Sequence, residues 1–193
     1  MHIKVLIVFG FAWAACKQPG VSVPHVYMHA ETQHLYQRNG VMMLDIVPFS
    51  GYVFQLYPDG DTNFVYGYLN GLQEGVSKQW YEKRQSKEIR FYHEGKKTGI
   101  HIGWWPNGNV KFKYRFVNDL YEGNCKEWHV NGMLYRNNNY EMGHEKGLQQ
   151  AWFDDGSVQA NYETRNGRNY GNTGMKHCKS IYNKDTIGVN SRH

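Results

Sequence analysis

The chain has 193 residues, a length that suits one domain of ordinary size. Aromatic residues make up 16%, glycines number 21, prolines 5, and mean hydropathy is −0.71, which excludes helices around a thick aliphatic core and favours short strands joined by tight turns. The net charge of +5 is local, because six basic residues against one acid lie between Arg165 and His193, so the rest of the chain is neutral.

The chain opens "MHIKVLIVFGFAWAACKQPG". Lys4 supplies a small basic region, and Val5 to Trp13 is apolar but shorter than the roughly 20 residues that span a bilayer. Residues 1–15 therefore read as an export signal. The small Ala14 and Ala15 before Cys16 resemble a bacterial lipoprotein box, which implies that Cys16 is lipidated and that residues 16–32 form a lipid-anchored linker. An ordinary signal peptidase would instead cut after Ala14, using Ala12-x-Ala14. Lys17 and Gln18 follow Cys16 with no Asp beside it, and the resemblance then implies the outer membrane, with the folded part facing the periplasm. Pro19, Gly20, Ser22 and Pro24 suit a tether. Residues 33–50 read as a capping hairpin with its turn at Arg38-Asn39-Gly40.

A repeat follows. Gly51, Gly75, Gly99, Gly123, Gly147 and Gly171 are spaced by 24 residues and delimit five units. The fifth position after each marker is Leu56, Trp80, Trp104, Trp128 and Trp152, and the next is Tyr57, Tyr81, Trp105, His129 and Phe153. A first turn carries "PDG", "PNG", "VNG" and "DDG", with Arg84 in the glycine position of the second unit. A second turn carries Gly71, Gly95, Gly143 and Gly167, with Asp119 in the third unit. Asn-Gly and Asp-Gly accept the positive φ of tight turns, so each unit predicts a β-hairpin. Alternation places Phe64, Tyr66 and Tyr68 on one face, with Phe112, Tyr114 and Phe116 as counterparts. The first strands add the Trp column and Val76, Ile100 and Leu148, so that stacked units build columns of aromatics. The expected fold is all-β, a single-layer meandering antiparallel sheet. Ten strands at about 4.8 Å give roughly 48 Å.

The pattern of marker glycines, Trp column and turn glycines, over roughly Pro48 to Gly171, resembles the variant MORN repeats of bacterial YwqK-like proteins. The resemblance implies a meandering hairpin array of five MORN-like repeats over 51–171. It also brings an antitoxin label and with it an alternative reading as an antitoxin-like protein, although an exported lipoprotein would not meet a cytoplasmic toxin. Arg84, Asp119 and the polar strand "LYRNNNYEMG" of the fourth unit depart from the pattern.

No catalytic constellation is expected. The glycines form no phosphate-binding loop, no serine sits on a strand-to-helix elbow, and no cofactor is implied. His93, His101, His129 and His144 fall at four different phases of the repeat, which suits surface or rim histidines better than a metal cluster. The tail, 172–193, holds Met175, His177 and Cys178, soft donors that suit Cu(I) and open an alternative reading as a periplasmic copper-handling protein. If Cys16 is lipidated, Cys125 and Cys178 remain as a possible disulfide. The principal expectation is a non-enzymatic envelope scaffold. It would bind an unidentified envelope protein or membrane lipid, with self-association through an exposed aromatic face and no nucleic acid as partner.

Overall fold

A computed structural model describes residues 22–174. Five successive units, each built from two long strands and a continuation, follow the predicted period. The first holds β5 (Gly51–Leu56), β6 (Thr62–Leu69) and the short β7 (Leu72–Gln73). The second holds β8 (Gly75–Trp80), β9 (Ser86–His93) and β10 (Lys96–Lys97). The third holds β11 (Gly99–Trp104), β12 (Val110–Val117) and β13 (Leu120–Tyr121). The fourth holds β14 (Gly123–Trp128), β15 (Leu134–Glu141) and β16 (His144–Glu145). The fifth holds β17 (Gly147–Trp152), β18 (Val158–Arg165) and β19 (Arg168–Asn172). The long strands pair antiparallel in chain order, so the sheet is a meander of consecutive hairpins in a single layer.

The turns explain the repeating residues. At the first turn Asp59, Asn107, Asn131 and Asp155 each accept, through Oδ1, the N–H two residues on, at 2.8–3.1 Å. The glycine between donor and acceptor takes φ near +85° in all four units (86, 88, 86 and 83°), a conformation that costs a side chain. The second turns have two consecutive residues at positive φ, the type I′ geometry that matches strand twist. Asp119 holds this geometry at φ 68° without being glycine, and its carboxylate accepts the Lys97 N–H at 2.9 Å. In the second unit Arg84, at φ 59°, donates to Asp61 of the first unit at 2.7 Å. Both departures thus replace conformational freedom by a contact to the preceding unit.

Within each unit the register shifts by one residue just before the Leu56 or Trp position. This bulge sharpens the local twist and re-aims the next side chain toward the following unit.

Two expectations are corrected, and the cap hairpin is placed. The segment expected as a tether through residue 32 contains β1 (Tyr27–His29), which pairs parallel with β5, so the sheet is not purely antiparallel. Val23 is buried as well. The hairpin over 33–50 forms as β2 (Leu35–Arg38) and β3 (Val41–Leu44), with the turn at Asn39-Gly40, and gains β4 (Val47–Pro48). However, it does not extend the long sheet. It makes a separate three-stranded sheet laid over the first unit, where Leu35, Met42 and Leu44, together with Phe64 and Tyr66, pack on the buried Phe49, Val53 and Tyr68. The long sheet's edge is already occupied by β1, so the apolar side of the hairpin has only the sheet face to cover. Gly71 sits beneath it, where a Cβ would lie 2.2 Å from Val41.

The second correction concerns the faces. Val76, Ile100 and Leu148 are 38, 41 and 46% exposed. The buried column lies one residue further along, at Val53, Ser77, His101, Cys125 and Gln149. Strand alternation puts this column on the same face as Tyr66, Arg90, Tyr114, Asn138 and Tyr162, its cross-strand partners. We call this the inner face.

Candidate binding face

The inner face is not a continuous aromatic column. Phe64 stacks on Tyr66 at 4.4 Å in the first unit, and Phe112 on Tyr114 at 4.6 Å in the third. Between them the second unit presents Glu88 and Arg90, ion-paired at 2.8 Å with side chains 18 and 34% exposed. The fourth unit presents Glu127, Arg136 and Asn138, and the fifth Ala160 and Tyr162. Aromatic and charged units alternate along the first four, which a single pass for aromatics does not detect.

The tyrosines there are held in the protonated form. Burial, with Glu88 nearby, pushes the Tyr66 phenol up to about 12. Burial and Glu127 push Tyr114 up further. Burial, and the bond its hydroxyl donates to Glu145 at 3.0 Å, push Tyr162 up to about 12. The phenols of this face therefore stay protonated at every ordinary pH, although the Tyr162 proton is already committed to Glu145. Two of its groups, Ser77 Oγ and Arg90 Nε, are buried with no partner among the described residues. Both Ser77 and Arg90 line an indentation of 230 Å³ with Tyr66 and Glu88. A second indentation of 320 Å³ lies between Arg136, Asn138, Tyr140, Tyr162 and the last described residues, Thr173 and Gly174.

The buried polar column is structural. Gln149 is fully buried and donates to the Asn139 carbonyl at 2.8 Å while its Oε1 accepts the Asn139 N–H at 3.2 Å. His101, 1% exposed, places Nε2 at 2.9 and 3.2 Å from the carbonyl oxygens of Phe91 and Thr98. Phe91 and Asn139 occupy the same repeat position, where the next strand has peeled away and the backbone needs a side-chain partner. The expectation of a surface or rim histidine is thus overturned for His101, because the repeat turns this position into the core. Cys125 shares the phase, and burial pushes its thiol up.

His129 belongs to a second ladder. Tyr57 and Tyr81 hydroxyls, Trp105 Nε1 and His129 Nε2 lie 2.9–3.1 Å from the carbonyl oxygens of Trp80, Trp104, Trp128 and Trp152, each 23 residues on. The residues read as an aromatic column are therefore inter-unit donors. Phe153, with no donor, stands in the last unit. The signal was present in the sequence, since four of five residues at this position carry a ring N–H or O–H.

On the opposite face the polar fourth unit forms an amide ladder. Asn124 donates to Asn137 at 2.8 Å, and Asn137 to Gln150 at 3.3 Å. These groups satisfy one another. A cleft of 610 Å³ opens between the second turns of the fourth and fifth units. Gly95, Asp119 and Gly143 each donate an amide to the preceding unit, and Gly71 donates to Phe49 ahead of the first, but Gly167 makes no such bond. Of the charges lining the cleft, Lys146 pairs with Glu141 and Arg165 with Glu163, while Glu145 accepts from the Tyr162 hydroxyl.

Among the described residues no three His, Cys, Asp or Glu side chains converge on a metal site. Cys16, Met175, His177 and Cys178 lie outside the described residues, so the lipidation, copper and Cys125–Cys178 expectations rest on sequence. No protein-family model matches this chain, and no curated protein does either.

Proposed function

We propose that this chain is a non-enzymatic, MORN-like scaffold or binding module of the cell envelope, anchored by lipid on Cys16, with its inner face as the binding surface. One observation carries the reading. The cap hairpin covers that face over the first unit, and from the second unit onward no other described strand lies on it, with only Thr173 and Gly174 against the last units. What remains is a regular succession of protonated phenols, stacked rings and paired charges, suited to an extended or ridged partner of mixed chemistry. The partner is an envelope protein or a lipid headgroup surface.

The test has two parts. Cys16→Ala should move the chain from the membrane fraction to the soluble one, and unchanged fractionation refutes the anchor. A tagged chain recovered from solubilised envelope should lose its partner about tenfold on Glu127→Lys with Arg136→Glu, a loss near 1.4 kcal/mol. Lys113→Ala, on the opposite face, should leave recovery unchanged. Equal recovery by all three proteins removes the inner face as the binding surface.

A further inference from the structure

The outer face, opposite the inner one, carries a basic patch with no acid in it. Lys78 on β8, Lys87 on β9, Lys111, Lys113 and Arg115 on β12, and Lys126 on β14 all fall on the outward side of the strand alternation. No Asp or Glu stands on that side of β8, β9, β11, β12 or β14. The patch bases make no ion pair with any described residue. Lys87 and Lys111 rest over the rings of Tyr81 and Trp105, at 5.5 and 4.4 Å from the centroids. The register sets one row straight across the strands, through Lys78, Ile89, Ile102, Lys113 and Lys126. Lys113 and Lys126 are direct cross-strand partners, and like charges in that relation destabilise a sheet. In the fourth and fifth units the same row continues as the neutral Asn137, Gln150 and Asn161, so the fold itself does not require bases there.

We propose that the outer face of the second to fourth units docks an acidic polypeptide segment of a partner protein, with apolar residues between its carboxylates. Charge complementarity sets the sign of the partner. Ile89 and Ile102 lie between the bases, with Val76 and Ile100 beside them at 38 and 41% exposure, and they set its apolar share. Shape separates a chain from a planar surface. Neighbouring strands of a sheet are rotated by about 20–25°. From β8 to β14 there are four strand spacings, so the two ends of the patch face directions roughly 80–100° apart. A flat bilayer meets only part of such a patch, whereas an extended chain follows the twist across about 19 Å. The rest of this chain has little acid to offer, since residues 1–21 contain no Asp or Glu and residues 175–193 contain Asp185 alone. A second copy fits no better, because its inner face mixes Arg90 and Arg136 with Glu88 and Glu127. The basic patch is separate from the inner face and does not depend on a partner there.

Fluorescence anisotropy on the purified full chain tests this with a labelled peptide of alternating glutamate and valine. The unsubstituted protein should bind it, with affinity that falls as salt rises. A peptide with lysine in place of glutamate should not bind. Lys78→Gln, Lys113→Gln and Lys126→Gln together should weaken binding by about tenfold or more, while Lys78→Arg, Lys113→Arg and Lys126→Arg together should retain it. Glu127→Lys with Arg136→Glu, on the inner face, should leave it unchanged. The urea midpoint of the glutamine variant should match or exceed that of the unsubstituted protein, because the Lys113–Lys126 repulsion is gone. No binding of the glutamate peptide at low salt, equal binding by the glutamine variant, or equal binding of the lysine peptide overturns the proposal. Phosphatidylglycerol vesicles or an oligonucleotide held more tightly than the peptide, through the same three lysines, overturn it in favour of a membrane or a nucleic acid. A salt-sensitive dimer that the glutamine variant loses overturns it in favour of a second copy.

Discussion

At the residue scale, the array depends on side chains that close gaps in the backbone ladder. His101 and Gln149 solve the same problem with different chemistry. Burial holds the His101 imidazole below its ordinary value of 6.5, opposed in part by the carbonyls of Phe91 and Thr98. The unfolded chain therefore takes up a proton first as pH falls. Stability associated with this group is complete above 6.5 and is lost as pH drops from 6.5 toward the folded value. His93 has the opposite sign, because its bond to Glu74 raises it, so its contribution is present at low pH and lost as pH rises through the folded value. His101→Gln copies the fifth unit's solution. Urea unfolding at pH 7.5 and pH 5 should show near wild-type stability at the higher pH and a smaller acid loss, with the His93 effect cancelling in the difference. His101→Leu should cost about 1–3 kcal/mol at pH 7.5, because backbone groups of Phe91 and Thr98 lose their partner. A second prediction concerns the inter-unit ladder. Tyr81→Phe deletes the hydroxyl on the Trp104 carbonyl and should cost about 0.5–1.5 kcal/mol by the same measurement. Phe153→Tyr should change little, since the ladder ends there.

At the element scale, the turns show how departures from a repeat can be accommodated. Asp119 occupies a left-handed position and offsets the strain with a bond to the Lys97 amide, at 2.9 Å. Asp119→Ala keeps the strain and loses the bond, and should destabilise by about 1–2 kcal/mol. Asp119→Gly loses the bond but relieves the strain, so it should sit within about 0.5 kcal/mol of wild type. If the two variants unfold at the same denaturant midpoint, φ is not what the position demands. The same balance was legible only in part from sequence. Asp119 could be flagged as standing where glycine recurs, but the compensating amide belongs to the neighbouring unit, and no spacing rule within one hairpin points to it. The marker glycines are a similar case. Their 24-residue spacing was plain, while their work, turning the chain out of one pair of strands and into the next at φ of about +70°, needed the backbone (73, 69, 70 and 75° at Gly75, Gly99, Gly123 and Gly147).

At the scale of the whole molecule, each unit touches its neighbours and little else, so perturbations should stay local. The cap hairpin is the exception to the meander and the sharpest place to test this. Leu44→Asp puts a charge into the cluster around Val53 and Tyr68. Hydrogen exchange should speed up at amides of β5 and β6 and leave those of β17 and β18 unchanged. A uniform rise along the array would mean that the units unfold as one cooperative body.

The sequence by itself determined the number of units, the hairpin in each, the residues of both turns and the all-β, single-layer character. It could do so because turn chemistry and strand alternation are local, and a period repeats a local rule five times until chance is no rival. Tertiary structure alone decided which face is inner, because shifting the frame by one residue exchanges the two faces and the aromatics occupy both. It alone placed the cap on a face instead of an edge, since that depended on β1 having taken the edge. It also turned His101 from an expected rim residue into the core, because what surrounds a side chain in such an array is set by the adjacent unit, ten or more residues away in the chain.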